Sequence, residues 1–581
     1  MKQFFKITFA CVLGVMIAGF IGSVLLFFGI ISMATVSSPQ YKPSSNTVFK
    51  LKLNTSVVER ASVNPLEEIM NIYSDDASPI GLDVILQSIE KAKKDDHVIG
   101  IYLNTDGYSA AYATTEAIRR KLDEFKESGK FIVAYNDAYS QNQYYLSSVA
   151  DSIYLNPVGS LNFSGLASQH IFFKNALDKL GVQMQVFRVG TFKSAVEPFI
   201  VDKMSQANRE QTEVYLNSIW DTLLSDISKT RQLSVDSLDS IANLGIGFHY
   251  GEIATQKGLV TALKYKSEIL PLLKKMASTE DISTADLSEI HSMKSKEKDH
   301  SDKIAILYAV GEIAGGPTKD GIYWENTISE IEKIKEDDDV KALVFRVNSP
   351  GGSAFASEQI WEAIQSLKEK KPVVVSMGDY AASGGYYISC NADYIIAEPA
   401  TITGSIGVFG LIPNANDLFE DKIGLSFDEV KTNTFGNITL FTPMTEQEKA
   451  LTQKSVEDVY ALFMKRCAEG RKLPVDSIAK IAEGRVWTGS NALQLGLVDE
   501  LGGMSLAINK AAELANLKKF STEAYPRSKD FFETLVDEFK NDASLHLQKQ
   551  ILGEEFKNVQ LVKYIRSLDR IQARMDYMII K

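Results

Sequence analysis

The chain has 581 residues, 45% of them hydrophobic and 23% charged, with a formal net charge of −12. That length exceeds what one hydrophobic core serves, so two or more domains are expected, and the acidic balance argues against a nucleic-acid-binding surface. Six scattered histidines, three cysteines and the lack of a G-x-x-x-x-G-K-[ST] segment give no metal cluster, zinc-protease motif or phosphate loop.

The N-terminus comes first. Ile7 to Met33 is uncharged and almost wholly apolar, long enough to cross a bilayer as a helix. Lys2 and Lys6 precede it and no charge follows until Lys42, which keeps the N-terminus in the cytoplasm and the bulk of the chain outside. A cleaved signal peptide ending at Ser32-Met-Ala34 is the competing reading, but its apolar core would be too long. Residues 1–40 are therefore expected to be a cytoplasmic stub and a single transmembrane anchor.

The body contains one long repeat. Val98 aligns with Val340 at an offset of 242, and at the same offset Asp137 meets Asp379, Tyr144-Tyr145 meets Tyr386-Tyr387, Pro157 meets Pro399 and Gly165 meets Gly407. Gly258-Leu-Val260 later meets Gly496-Leu-Val498 at an offset of 238. Two copies of one α/β domain are expected, over 45–276 and 304–520. The polar, charged stretch 277–303 reads as the linker between them. From 521 to 581 the mixed-charge pattern reads as a helical tail, and Thr445 to Cys467 as a long amphipathic helix.

In the second copy, Val340 to Val347 alternates as a strand and ends in Asn348-Ser-Pro-Gly-Gly-Ser353, before a helical pattern from Ala356 to Leu367. Pro372-Val-Val-Val-Ser376 reads as a buried strand. It runs through Gly378-Asp-Tyr-Ala-Ala-Ser383-Gly-Gly385 into a helix at Tyr386-Tyr387-Ile388. A serine on a strand-to-helix turn is held by backbone, and glycines beside it let main chain approach a ligand closely. Such a turn offers a nucleophile at Ser383 with an anion-binding N–H at Gly384, and the other turn offers N–H groups at Gly351 and Gly352. The first copy has Gln141-Asn-Gln143 and Ser109-Ala110 at these places, so it holds no site of this type.

"NSPGGS", "AASGGYYIS" and "TGSIGVFG" (Thr403 to Gly410) resemble the signal peptide peptidase A family, membrane-anchored serine–lysine proteases of the ClpP/crotonase-type fold. The length matches the family's long form, and the likeness runs from about residue 45 to 520. It implies a tandem duplication of a ClpP/crotonase-like domain and an endopeptidase that degrades remnant signal peptides and other unfolded apolar peptides outside the cytoplasmic membrane. It also implies a homotetramer and no cofactor, metal or nucleic acid.

A serine needs a base beside it, and a lysine serves only if burial lowers its pKa. Lys193 stands among Val186, Phe187, Val189, Phe192, Ala195, Val196, Pro198 and Phe199, and "FKSAVEPF" resembles the family's lysine motif. By that resemblance Ser383 is the nucleophile and Lys193 the general base. Gly384 and the Gly351-Gly352 turn form the oxyanion hole, and Ser405 orients the lysine. Opposite Lys193 in the second copy is Phe435, so each half keeps the residue the other has lost. Lys431 is the rival base, but its neighbours Asp428, Glu429 and Thr432 are polar. The S-x-x-K matches at Ser88 and Ser295 lie in charged stretches without companion motifs. Two rival functions are a silent peptide-binding scaffold of the same fold and an acyl-thioester enzyme; the second needs a cytosolic substrate and sits poorly with an export anchor. Cys390 and Cys467 read as two buried thiols, with a bridge between them left open.

Overall fold

The computed structural model describes residues 2–35, 40–61, 78–294, 300–318, 321–527, 571–575 and 580. The repeat in sequence is a repeat in space. Helices Leu82–Lys94 and Tyr112–Lys126 of the first half return, at the same 242-residue offset, as Trp324–Glu336 and Ala354–Lys368. Strands beginning at Val98, Phe131 and Ser152 return at Val340, Val373 and Tyr394. Even a single bond is repeated: the Tyr144 hydroxyl donates to Leu259 O at 3.0 Å, and the Tyr386 hydroxyl to Leu497 O at 3.0 Å.

Each half is built on a largely parallel sheet. In the first, the order across the sheet is Ala262–Leu263, Ser152–Leu155, Phe131–Asn136, Val98–Asn104, Thr47–Lys52 and Ser283–Ala285, all parallel. In the second, the main path is Val486–Thr488, Ile402–Gly404, Val373–Ala382, Val340–Ser349, Lys303–Val310 and Ser521–Tyr525, with Tyr394–Ala397 and Glu500–Leu501 branching from Val373–Ala382. Central parallel strands are covered on both faces, so they read as continuous apolar runs. Val373, Val374, Val375 and Met377 are wholly buried, each stabilising the fold by about 1.5–3 kcal/mol.

A third sheet joins the halves. Its order is Ile322–Tyr323, Ile313–Ala314, Gly351–Ser353, Ile571–Arg574, Val408–Asn414 and Gln183–Val189. The last of these, the lysine strand, belongs to the first half yet pairs antiparallel with Val408–Asn414 of the second, from Val408 opposite Val189 to Asn414 opposite Gln183. Buried polar contacts reinforce the junction. Helix Tyr112–Lys126 begins after Ala111, which has no capping side chain. Asp379 of the second half takes that role, accepting from Thr114 N and Oγ1, both at 2.8 Å. Arg346 donates to both oxygens of Glu59 at 2.9 and 2.8 Å, with both side chains buried. Glu116 accepts from Ala400 N at 2.9 Å, and burial followed by the charge of Glu398 holds its carboxyl well above the usual range.

Two expectations are corrected. The linker 277–303 is partly built into the fold: Ser283–Ala285 extends the first sheet, and Asp286 caps the helix Leu287–Ser292. The tail is not helical where it is described, since Ser521–Tyr525 and Ile571–Arg574 are strands held by neighbouring edges; 528–570 lie outside the described residues. The N-terminal run does form one helix, Lys2–Thr35. Among the described residues, however, no helix is long and apolar enough to cross a membrane. The side chains at 23–35, the second part of the expected span, lie outside them. Helix Glu446–Arg471 forms as expected, under a Thr445–Glu448 capping box. Cys390 and Cys467 are both free and buried.

Candidate active site

The serine strand Val373–Ala382 ends at Ser383, whose backbone (φ 55°, ψ −114°) lies outside the regions ordinary residues favour. Holding it there costs about 1–3 kcal/mol, and fixed neighbours supply it. Ser383 N donates to Gly404 O at 2.8 Å, while Ser383 O accepts from Tyr387 N at 2.8 Å in the helical turn that follows. The next residue has little room: a Cβ on Gly384 would stand 2.7 Å from Ser357 Oγ and 3.2 Å from Gly351 Cα.

The lysine strand carries the chain to Lys193, just before the short turn Ser194–Val196. Pairing with Val408–Asn414 brings that end of the strand to Ser383. Lys193 Nζ lies 2.9 Å from Ser383 Oγ, 3.1 Å from Ser405 Oγ and 3.3 Å from Ser405 O. Lys193 is 1% exposed and Ser383 0%. Burial, with no carboxylate to offset it, lowers the lysine pKa to about 7. A neutral amine has two N–H groups and one lone pair. Ser405 O and Oγ can take the two N–H groups, which leaves the lone pair for the serine hydroxyl. Ser405 Oγ in turn donates to Gly484 O at 3.3 Å.

Sequence reasoning missed the wall behind the lysine. Gly484 and Gly407 face its stem: a Cβ on Gly484 would lie 2.7 Å from Lys193 Cβ, and one on Gly407 3.3 Å from Lys193 Cδ. Phe192 N donates to Glu483 O at 3.0 Å. Gln211 Nε2 donates to Phe192 O and Ser194 Oγ, both at 3.1 Å, while its Oε1 accepts from Val486 N at 3.3 Å. Nothing in the segment Gly484-Arg-Val-Trp-Thr-Gly489 points to the site by itself; its signal in the sequence is a glycine with no turn assigned to it.

The other turn departs from expectation in one respect. Gly351 N–H donates to Ser349 Oγ at 3.2 Å, so Gly351 supplies space rather than a free donor. With φ of 99° it cannot take a side chain without strain. A Cβ there would lie 2.7 Å from Gly384 N and 2.1 Å from Ala573 O. The Gly352 and Gly384 N–H groups remain the candidates for anion binding. Lys431 is remote from all of this, paired with Glu429 at 2.8 Å, which raises its pKa. In the first half, Gln141 fills the position of Ser383, accepting from Ser164 N at 3.0 Å and Gly165 N at 2.9 Å. Among the described residues no group of His, Cys, Asp and Glu could hold a metal.

A buried serine on a strained strand end in a duplicated α/β fold fits a serine peptidase of the ClpP-like class. Comparison with known proteins agrees. The family model Peptidase family S49 matches residues 124–280 and 365–518, and the Clp protease model matches 295–401. Protease 4 of Haemophilus influenzae is 34% identical over 555 residues, 91% of this chain and 90% of the relative. Protease 4 of Salmonella typhi is 36% identical over 518 residues, 86% and 84%. The chloroplastic serine protease SPPA of Arabidopsis thaliana is 32% identical over 517 residues, 86% and 74%. The chain belongs to peptidase family S49 and is a serine protease with a duplicated S49 domain.

Proposed function

We propose that Ser383 and Lys193 form the catalytic dyad of an endopeptidase for extended peptides. The observation that carries this reading is the 2.9 Å approach of Lys193 Nζ to Ser383 Oγ, made by an amine with a pKa of about 7. The neutral amine takes the hydroxyl proton as Ser383 Oγ attacks the peptide carbonyl, and the new ammonium passes a proton to the leaving amine. Gly384 N–H and Gly352 N–H stabilise the oxyanion. A water, deprotonated by the same amine, then hydrolyses the ester. Substrate binds as a strand between Gly351–Ser353 and Val408–Asn414, in the place that Ile571–Arg574 takes in this structure, so main chain supplies much of the affinity.

The substrates are remnant signal peptides and other unfolded apolar segments. A relative over 38% of the chain supports this reading: a putative signal peptide peptidase of Enterococcus faecium, 32% identical over 224 residues. The enzyme works as a homotetramer on the outer side of the cytoplasmic membrane, held by its N-terminal helix. What supports attachment is the uncharged run Ile7–Met33 behind Lys2 and Lys6, together with exposed Phe4, Ile7, Phe9, Val15 and Met16 on that helix. The test of the site is a fluorophosphonate probe. It should label the wild type and not Ser383→Ala, and peptide turnover should vanish in both Ser383→Ala and Lys193→Ala. Equal labelling of Ser383→Ala, or turnover by it, sinks the assignment.

A further inference from the structure

Lys193 arrives on a strand of the first half, but the residue beside it is held by the second. The Arg485 guanidinium lies between two aromatic rings, 4.6 Å from the centre of the Phe192 ring and 4.5 Å from that of Trp487. Its Nε is buried and has no hydrogen-bond partner among the described residues. Its Nη2 pairs with Glu210 Oε1 at 3.1 Å, on the solvent side, where the glutamate side chain is 52% exposed. An exposed pair contributes little, so the two ring faces are what fix the guanidinium.

The main chain of the same residue reaches the other side of the lysine. Arg485 O accepts from Ser405 N at 2.7 Å, and Ser405 is the residue whose O and Oγ face Lys193 Nζ. Ser405 has φ of 51°, a conformation that needs such a hold. The first half closes the seam from one helix, Gln206–Arg231: Glu210 meets Arg485, Gln211 meets Val486, and Ser218 Oγ lies 2.7 Å from Thr488 Oγ1. The other charged groups nearby are engaged elsewhere. Glu483 Oε2 accepts from Thr191 N at 3.4 Å, and Glu197 Oε2 from Ser205 N at 3.2 Å and Asn208 Nδ2 at 2.9 Å.

We infer that Arg485 is a positioning residue for the reaction: clasped between Phe192 and Trp487, it fixes the turn on which Lys193 stands and keeps water out from between the rings. The inference rests on the Ser383–Lys193 reading. Arg485 touches neither substrate nor the reacting atoms. It acts through Phe192 on one side of the amine and through Ser405 on the other. Without its side chain the two rings face a gap beside Gly484, whose main chain abuts the lysine stem. Water entering there solvates the ammonium and favours the protonated form, and the loosened turn lets the amine drift from Ser383.

The test is the pH profile of peptide turnover by full-length protein. In Arg485→Ala the rising limb should move up by about one pH unit, with kcat at pH 7 down by about tenfold and KM little changed. Arg485→Met refills the gap with an uncharged side chain suited to aromatic faces, and should bring the limb and kcat most of the way back. Should Arg485→Ala not fold, Phe192→Leu removes one face of the clasp and carries the same expectation of an upward shift. A merely structural role would lower the folded fraction and leave the midpoint in place. A limb that stays put in Arg485→Ala or Phe192→Leu, or an Arg485→Met displaced as far as Arg485→Ala, would overturn the inference while leaving the dyad standing. A wild type with no rising limb would instead remove the dyad on which the inference depends.

Discussion

At the scale of single residues, the proposed dyad turns on keeping one amine neutral. Lys193 is held at a pKa of about 7, against 10.5 for a free lysine. The base form therefore dominates only above pH 7, and kcat/KM should rise through about pH 7 and level off above it. A profile flat from about pH 5 to 9 would rule out a lysine base. The same shift acts on stability with a definite sign. Between pH 7 and 10.5 the unfolded chain binds a proton that the folded chain does not. Stability therefore falls as the pH drops through that window, by on the order of 5 kcal/mol for a shift of this size. Lys193→Met, which keeps the volume and drops the charge, should abolish turnover yet raise the melting temperature at pH 7. A lower melting temperature would show that the lysine is not buried at such a cost. Lys431→Ala, which removes a surface pair, should change turnover less than about twofold, since an exposed ion pair contributes little.

At the scale of elements, the site is a meeting of two strand ends backed by a loop. Gly484 has φ of 76° and faces the lysine stem. Gly484→Ala adds strain of about 1 kcal/mol or more and pushes Lys193 off its line to Ser383. We expect folded protein with kcat lowered by about tenfold or more and KM little changed; an unchanged kcat would show that the wall has slack. This wall also shows where sequence reading stops. The strands and helices of the second half were legible because burial on both faces leaves continuous apolar runs, and the repeat was legible because 242 residues separate equivalent positions without a gap from Val98 to Gly165. The meeting of Ser383 and Lys193 was legible because their neighbours are small or apolar. Gly484 and Gln211 were not, because what they do is decided by a partner far along the chain. Ile571-Gln-Ala-Arg574 has no strand pattern of its own; two waiting edges make it a strand. The lysine strand's partner was equally invisible, since nothing local says that an edge of one half completes the sheet of the other.

At the scale of the whole molecule, the two halves divide the proposed site between them. Lys193 reaches Ser383 within a single chain, across a junction that also holds the Glu59–Arg346 and Thr114–Asp379 contacts. Mixing Ser383→Ala chains with Lys193→Ala chains should therefore restore no activity even when subunit exchange is verified. Recovery would place the working dyad between chains. Residues 45–276 and 304–581, expressed separately, should each be inert, and activity from either alone would refute a shared site. The strand that crosses between the halves has a consequence for how the protein is born. Val186 pairs with Leu411, and at a ribosome's pace of about 5–20 residues per second the partner emerges on the order of ten seconds later or more. Through that interval the nascent first half has an open strand edge beside its siblings on the same messenger, the geometry in which neighbouring chains trade partners. The delay also works as a safeguard. On the proposed reading the base is translated long before the nucleophile, so no ribosome carries a working blade until the chain is well past its midpoint.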